Sequence, residues 1–385
     1  MATLDHSPAI GTMRQEDVVA RAHARVLEAL ASAPTHAGHY VEDGAWKLVP
    51  VSQTSFWTDD SYDHGNWTAG FWVGALLLLE DLGAPASDEL VLSVAGALAT
   101  RADDETTHDL GFMFSPSAVA LAERAEAAGD ESAAARWSRV ALTAAETLAR
   151  RQRPLGNLQA FGALDHPTGQ QTSTIDTMMN LPLLWWCAER FGRDDLRQIA
   201  VAHADCTLRD LVRPDGGTFH IVYRSPEGEL LSAGTFQGSG DESCWTRGQS
   251  WAVHGFVSAF LATREKRFAD AAARCLEFWA EHAPLDELPP YDLLADSGLC
   301  DASAGSVLAS ALADAAADEE LASLLHAKER FQQVVAALGE RALFAGDVGI
   351  IGLSTYSAPH GWGVDGALPY GDYFYLQALK AEARS

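Results

Sequence analysis

Apolar residues recur every three to four positions, in Ala- and Leu-rich runs that open on acidic residues, along almost the whole of a 385-residue chain. The runs fall at about 15–34, 67–82, 88–101, 115–128, 131–151, 176–191, 194–212, 244–263, 266–283, 302–316, 319–341 and 371–384, which predicts about twelve helices. Gly, Pro and Asp turns and irregular segments separate them, and no low-complexity stretch reads as a linker. Nor does any fixed-period repeat support a solenoid. The expectation is therefore an all-α fold in one domain spanning 1–385, with six antiparallel helix pairs closed into a ring and 1–13 as a flexible tail. Two segments break the helical period. Residues 217–235, GTFHIVYRSPEGELLSAGT, read as a small β-hairpin around the turn SPEG, and WKLVPVSQTSFW at 46–57 reads as extended.

Charge narrows the partners. With 53 acidic against 27 basic side chains the formal net charge is −26, which disfavours nucleic acid and anionic membrane surfaces. An anionic small molecule stays open, because bulk charge is screened over about 8–10 Å and a pocket is governed by its nearest groups. The five cysteines are odd in number, widely spaced and without C-x-x-C, so they read as buried apolar residues. No signal peptide is visible, and WVGALLLL at 72–79 is too short to span a bilayer. A cytoplasmic protein, monomer or homodimer, is expected.

Asp59, Asp60 and Asp63 in TDDSYDHGNWTAGFW have the D-D-x-x-D spacing with which isoprenoid synthases hold magnesium and diphosphate. That chemistry needs the aspartates on one helix face. Here Pro50, the β-leaning run before them and the HGN after them predict a solvated acidic loop, with Asn66 as N-cap of the next helix. His64, His108 and His220 show no metal-ligand spacing, so no metal is expected.

Polar residues set in apolar helix starts carry more information, because burying a carboxylate costs several kcal/mol unless it is paired or neutralised. Asp109 in THDLGFMFSP and Asp176 in TSTIDTMMNLPLLWW are two such acids. Each could be a helix cap. Set among aromatics and Met, each could instead have its pKa raised and donate a proton near neutrality. In GTFQGSGDESCWTRGQSWAVHGF, Arg247 and Gln249 lie between Trp245 and Trp251, a fork and aromatics suited to a carboxylate and a sugar ring. Alternatively Arg247 pairs with Asp241 or Glu242 at a helix start.

These segments resemble glycoside hydrolase family 88, the unsaturated glucuronyl hydrolases. NWTAGFWVGALLLLEDL, HDLGFMF, TSTIDTMMNLPLLWW, the TFH strand, GTFQGSGDESCWTRGQSWAVHGF, CDASAGSVLASAL and HGWGVDGALPYGDYFYLQALKA run in family order from about residue 60 to 382. The resemblance implies an (α/α)6 barrel with no cofactor. The implied substrate is an oligosaccharide that a lyase has left with a Δ4,5-unsaturated uronic acid at its non-reducing end. By position Asp176 resembles the general acid and base, and Asp109 the second required carboxylate, which would hold a ring hydroxyl and, as a like charge, keep Asp176 protonated. His220, Gln237, Trp245, Arg247 and Trp251 fall on substrate-binding motifs; Trp67, His108 and Tyr356 are expected in the same pocket. Phe161 departs from the pattern, standing where many relatives carry a stacking tryptophan. Ser354 and Ser357 lie in the segment that approaches the second sugar and could bond a sulfate, but Pro359 stands where a lysine would complete a basic site.

The implied reaction is hydration: protonation of the enol ether at C4, water attack at C5, and collapse of the hemiketal. Family 105 unsaturated rhamnogalacturonyl hydrolases are the nearest rival, and IDTMMN with W-x-R-G-Q-x-W favours family 88. A non-catalytic sugar-binding barrel is disfavoured by the intact aspartates.

Overall fold

The computed structural model describes residues 13–58, 61–166, 169–225 and 227–384. Except for Met13, the expected N-terminal tail lies outside them. Among the described residues fourteen α-helices are found: α1 (Gln15–Ala29), α2 (Ala69–Asp81), α3 (Asp88–Leu98), α4 (Leu110–Phe114), α5 (Ala120–Ala127), α6 (Glu131–Ala149), α7 (Leu181–Phe191), α8 (Asp194–Asp210), α9 (Thr246–Thr263), α10 (Lys266–His282), α11 (Ala302–Ala316), α12 (Glu319–Leu324), α13 (Ala327–Arg341) and α14 (Pro369–Glu382). The expected twelve become fourteen because α4 precedes the expected 115–128 run and the 319–341 run is broken in two. A π-helical stretch, Ser115–Val119, separates α4 from α5, and His326, in the left-handed region at φ 48°, separates α12 from α13.

Six helices close a ring. α2 packs on α4, α4 on α7, α7 on α9, α9 on α11, α11 on α14, and α14 returns to α2. Outside it α1 and α3 cover α2, α6 covers α4 and α5, α8 covers α7, α10 covers α9, and α13 covers α11. Sequence explains the division. α2, α9, α11 and α14 are buried on nearly every face, whereas α6 and α10 alternate charged and apolar faces, as a helix with one wet side must. The (α/α)6 barrel expected from the helix count and the resemblance is thus present.

The inner helices approach closely through glycine. A Cβ on Gly70 would fall 2.1 Å from the Met113 carbonyl oxygen, and one on Gly74 2.4 Å from the Tyr373 ring. Inside the ring, an aromatic cluster including Trp67, Phe71, Phe112, Trp251, Tyr356, Tyr370 and Phe374 forms the floor beneath the site.

Short strands line one end. β1 (His36–Glu42) pairs antiparallel with β2 (Ala45–Pro50), and β3 (Phe56–Thr58) with β4 (Ser61–Asp63). β5 (Thr172–Thr174), β6 (Ile221–Arg224) and β7 (Leu230–Gly234) form a three-stranded sheet. The 217–235 hairpin was expected; β1, buried along most of its length, shows no alternation of apolar and polar residues, and β5 has only three residues, so neither could be read in advance. No described helix is long and apolar enough to cross a membrane. All five cysteines are free, four of them buried and Cys300 half-buried.

Candidate active site

Asp109 stands just before α4 but makes no side-chain cap; its Oδ2 instead accepts from Thr107 Oγ1 at 3.1 Å. Asp176 lies in a 3-10 turn, Ile175–Asn180, that follows β5 and precedes Pro182 in the first turn of α7. The cap alternative therefore fails for Asp109, and Asp176 too points elsewhere. Antiparallel pairing of β5 with β6 carries His220 beside that turn, where its carbonyl accepts from Ile175 N–H at 3.0 Å. Gly111 lets α4 lie against the same turn, and Phe112 N–H donates to Asn180 Oδ1 at 2.9 Å.

The result is a chain of four ionisable groups. His108 Nε2 stands 3.3 Å from Asp109 Oδ1 and 3.4 Å from Asp176 Oδ1, and His220 Nε2 is 3.8 Å from Asp176 Oδ2. His220 Nδ1 faces the backbone N–H groups of Phe236 at 3.1 Å and Gln237 at 3.3 Å, so it accepts and the ring hydrogen sits on Nε2, towards Asp176.

Electrostatics differ from the sequence expectation. Burial would raise Asp176, but hydrogen bonding and charge from His108 and His220 outweigh it and hold this carboxyl well below the ordinary range. Asp109 is the raised one: its burial outweighs the pull of His108. For His108, burial opposes the charged ring, yet Asp109 and Asp176 prevail and raise it. These directions are the reverse of the expectation that Asp109 keeps Asp176 protonated.

Eleven expected residues line this one pocket: Trp67, His108, Asp109, Phe161, Asp176, His220, Gln237, Trp245, Arg247, Trp251 and Tyr356; Gln249 does not, since it accepts from Thr218 Oγ1 and donates to the Gly216 and Cys275 carbonyls. Trp67 Nε1 donates to the Tyr356 hydroxyl at 3.2 Å, and Gln237 Nε2 donates to the Tyr356 carbonyl at 2.9 Å. Trp245 packs on His220 with ring centres 4.7 Å apart. Arg247 pairs with neither Asp241 nor Glu242. Its guanidinium stacks on Trp245, ion-pairs with buried Asp301 and donates to the carbonyls of Thr355 and Tyr356. It is 1% exposed, so it braces the pocket wall and is not a free carboxylate fork.

Other details shift too. Asn66 does not cap α2, which begins after Thr68; it is buried, donating to the Val49 carbonyl and accepting from Thr68 Oγ1. The expected acidic loop is in part the β3–β4 hairpin. Asp63 accepts from Gly65 N–H at 2.8 Å and Gln53 Nε2 at 2.9 Å, while Asp59 and Asp60 lie outside the described residues. Among the described residues no three His, Cys, Asp or Glu side chains are grouped to hold a metal ion. Ser354 and Ser357 are buried, and Ser357 Oγ contacts His360 Nδ1 at 2.7 Å, so neither hydroxyl lines the pocket.

Sequence reasoning missed His64, Phe112, Thr174, Ile221, Tyr223 and Phe236, which also line the pocket. His64 precedes the NWTAGFW stretch, the one available signal. It is set edge-on to Phe236 and Tyr356, and burial drives its pKa well below that of a free imidazole.

No protein-family model matches the chain. Among curated proteins it is similar to the unsaturated glucuronyl hydrolase of Bacillus sp. (strain GL1), 33% identical over 341 residues that cover 82% of this chain and 86% of that one. The chain belongs to the unsaturated glucuronyl hydrolases. The hydrolase is also 29% identical to the unsaturated chondroitin disaccharide hydrolase of Streptococcus agalactiae serotype III (strain NEM316), over 82% of this chain and 81% of that one. Its fold superposes on the solved structure of the Bacillus sp. GL1 unsaturated glucuronyl hydrolase with a TM-score of 0.82 at 28% identity, covering 95% of this chain and 96% of that chain. The hydrolase is therefore an enzyme with the helical-barrel architecture of that group.

Proposed function

We propose that the enzyme removes a Δ4,5-unsaturated uronic acid from the non-reducing end of lyase-generated oligosaccharides, as a family 88 glycoside hydrolase acting through one catalytic domain. What carries the reading is the pair of carboxylates, buried Asp109 and partly buried Asp176, bridged by His108 inside an aromatic pocket at one end of the helical ring. The double bond of such a substrate is conjugated to the C6 carboxylate and attached to the ring oxygen. Asp176, once protonated, adds the proton to C4, and the ring oxygen stabilises the cation left at C5. Water then adds to C5 while the Asp176 carboxylate takes its proton. The hemiketal opens, releasing the next sugar and a 5-keto uronate.

In this reading Asp109 holds a ring hydroxyl, and Trp67, Phe161, Trp245 and Trp251 give the sugar its apolar walls. His220 and Gln237 are the polar contacts of the wall, with Tyr356 behind Trp67 and Arg247 bracing Trp245. The reaction is a hydration, so the carboxylate separation that sets stereochemistry in ordinary glycosidases has no such meaning here. Buried Ser354 and Ser357 favour an unsulfated second sugar. A cytoplasmic setting accords with five free cysteines.

Lyase-derived disaccharides from chondroitin, hyaluronan, heparin, gellan, xanthan, ulvan and pectin, offered in turn, test the proposal through loss of the ultraviolet absorbance of the conjugated double bond. Turnover is expected on at least one, and Asp176→Asn abolishes it in a folded protein. Full activity in that variant would remove Asp176 from the mechanism. Preference for the pectin fragment would move the enzyme to the family 105 type.

A further inference from the structure

Asp176 must give a proton in the reaction, yet His108 Nε2 at 3.4 Å and His220 Nε2 at 3.8 Å face its carboxyl and hold it below the ordinary range. The imidazole beside it is differently placed. His108 Nδ1 faces the carbonyl oxygen of Ala160, which can only accept, so Nδ1 carries a hydrogen. Nε2 is then either a bare lone pair or the second N–H of an imidazolium. A bare lone pair aimed at two carboxylate oxygens, 3.3 Å and 3.4 Å away, is repelled by both unless one carboxyl is protonated. In either form the trio of Asp109, His108 and Asp176 holds one proton more than two carboxylates and a neutral imidazole would.

The surroundings favour imidazolium. Facing His108 are Asp109 from its own loop, Asp176 from the turn before α7, Arg151 from beyond the end of α6, His203 from α8, and His64 and His220 across the pocket. Arg151 opposes the charge, but its guanidinium is held by the carbonyls of Glu105, Gln159 and Gly162. His203 takes the Leu158 N–H at Nδ1 and is pushed down to about 3 by burial, so it is neutral. His220 Nδ1 is committed to accepting from two backbone N–H groups. His108 Nε2 reaches Asp176 Oδ1 over 3.4 Å, a long contact with room to close.

We propose that His108 stores the proton of the reaction as an imidazolium shared between Asp109 and Asp176, with the Ala160 carbonyl fixing the ring so that only Nε2 exchanges. The inference rests on the reading that Asp176 protonates C4. When the uronate enters, its carboxylate and the loss of water raise the proton affinity of Asp176, and the Nε2 proton passes to Asp176 Oδ1. Asp176 then forms the C4–H bond with the π electrons of C4=C5. Water bonds to C5, its proton returns to the Asp176 carboxylate, and from there to His108 Nε2, which restores the starting state. The sum is one water added to the double bond. His108 is a positioning residue in this scheme, acting through Asp176 rather than on the sugar.

Two measurements test this. In protein labelled with 15N-histidine, the His108 resonance, assigned through space to Ala160, is expected to be that of an imidazolium at pH 7. A neutral ring at that pH overturns the proposal. In His108→Gln, kcat is expected to fall about 100-fold or more at pH 7, with KM changed less than about threefold. The alkaline limb of its kcat profile is expected to move to lower pH by about one unit or more, because the proton must now be kept by a carboxyl. A limb that stays in place while kcat falls marks a merely structural residue and also overturns the proposal. Should the variant not fold, the wild-type resonance alone decides. Absence of turnover on every unsaturated disaccharide would sink the reaction assigned to the site, and is read separately from the charge state of His108.

Discussion

Replacing Gly111 with alanine tests whether the catalytic geometry is set by backbone contact between α4 and the Asp176 turn. A Cβ at this position would fall 2.3 Å from Asn180 Cα and 2.7 Å from its carbonyl oxygen, against about 3.4 Å for an ordinary contact. Both obstructing atoms are backbone, so no rotamer change relieves them, and the two segments must part by about 1 Å. Overpacking of this kind costs about 1–3 kcal/mol. Catalysis should suffer more. Gly111 lies two residues from Asp109 and Asn180 four from Asp176, so the movement is comparable with a third of the 3.3 Å and 3.4 Å contacts made by His108. Misplacement by about 1 Å is expected to cost about 100-fold in kcat. The assay is loss of ultraviolet absorbance on the best disaccharide, alongside chemical denaturation followed by circular dichroism. Gly96→Ala is the control: it lies within α3 with nothing within 4 Å of the added Cβ, and should gain about 0.5–1 kcal/mol with activity unchanged. If Gly111→Ala kept kcat within about threefold and lost less than about 0.5 kcal/mol, the argument from close approach would be wrong.

Three further outcomes are expected. Arg247→Met leaves Asp301 buried without its cation and should lower stability by about 3–5 kcal/mol, seen as a reduced denaturation midpoint; an unchanged midpoint would return Arg247 to a purely ligand-facing role. Asp372 is fully buried on α14, where Oδ1 accepts from Ile350 and Ile351 N–H and Oδ2 has no hydrogen-bond partner among the described residues; burial pushes it up to about 7. Its folded value exceeds the ordinary 3.8, so the stability it contributes is complete below about pH 4 and is lost as pH rises to about 7, amounting to about 4 kcal/mol at most. Asp372→Asn keeps the accepting oxygen and should flatten stability over that window, whereas an unchanged slope between pH 4 and 7 would assign it to other groups. Last, a chelator should leave turnover unchanged, and a loss restored by magnesium would revive the D-D-x-x-D motif.

Periodicity determined the twelve helical runs; which of them form the inner ring is decided by tertiary packing, since inner α7 carries exposed Glu189 and Arg190 while α2 and α9 are buried nearly all round. Local composition also exposed Asp109 and Asp176, since a carboxylate among Phe and Met demands a reason. Other features depend on partners distant in sequence. Arg247 finds Asp301, 54 residues away, instead of the nearby Asp241 or Glu242. Asn66 looked like a cap and became a buried link to Val49. His64 carried no motif, yet the turn after β4 brings it to the pocket wall. The charge states moved furthest. An apolar setting read from sequence implied a raised Asp176, but two histidines brought to it by the 107–109 loop and by β5–β6 pairing lower it, and the rise falls on Asp109 instead. Sequence supplies the ionisable groups and their near neighbours. Which of them keeps the proton depends on distances of 3–4 Å between segments far apart in the chain, and only the closed ring fixes those.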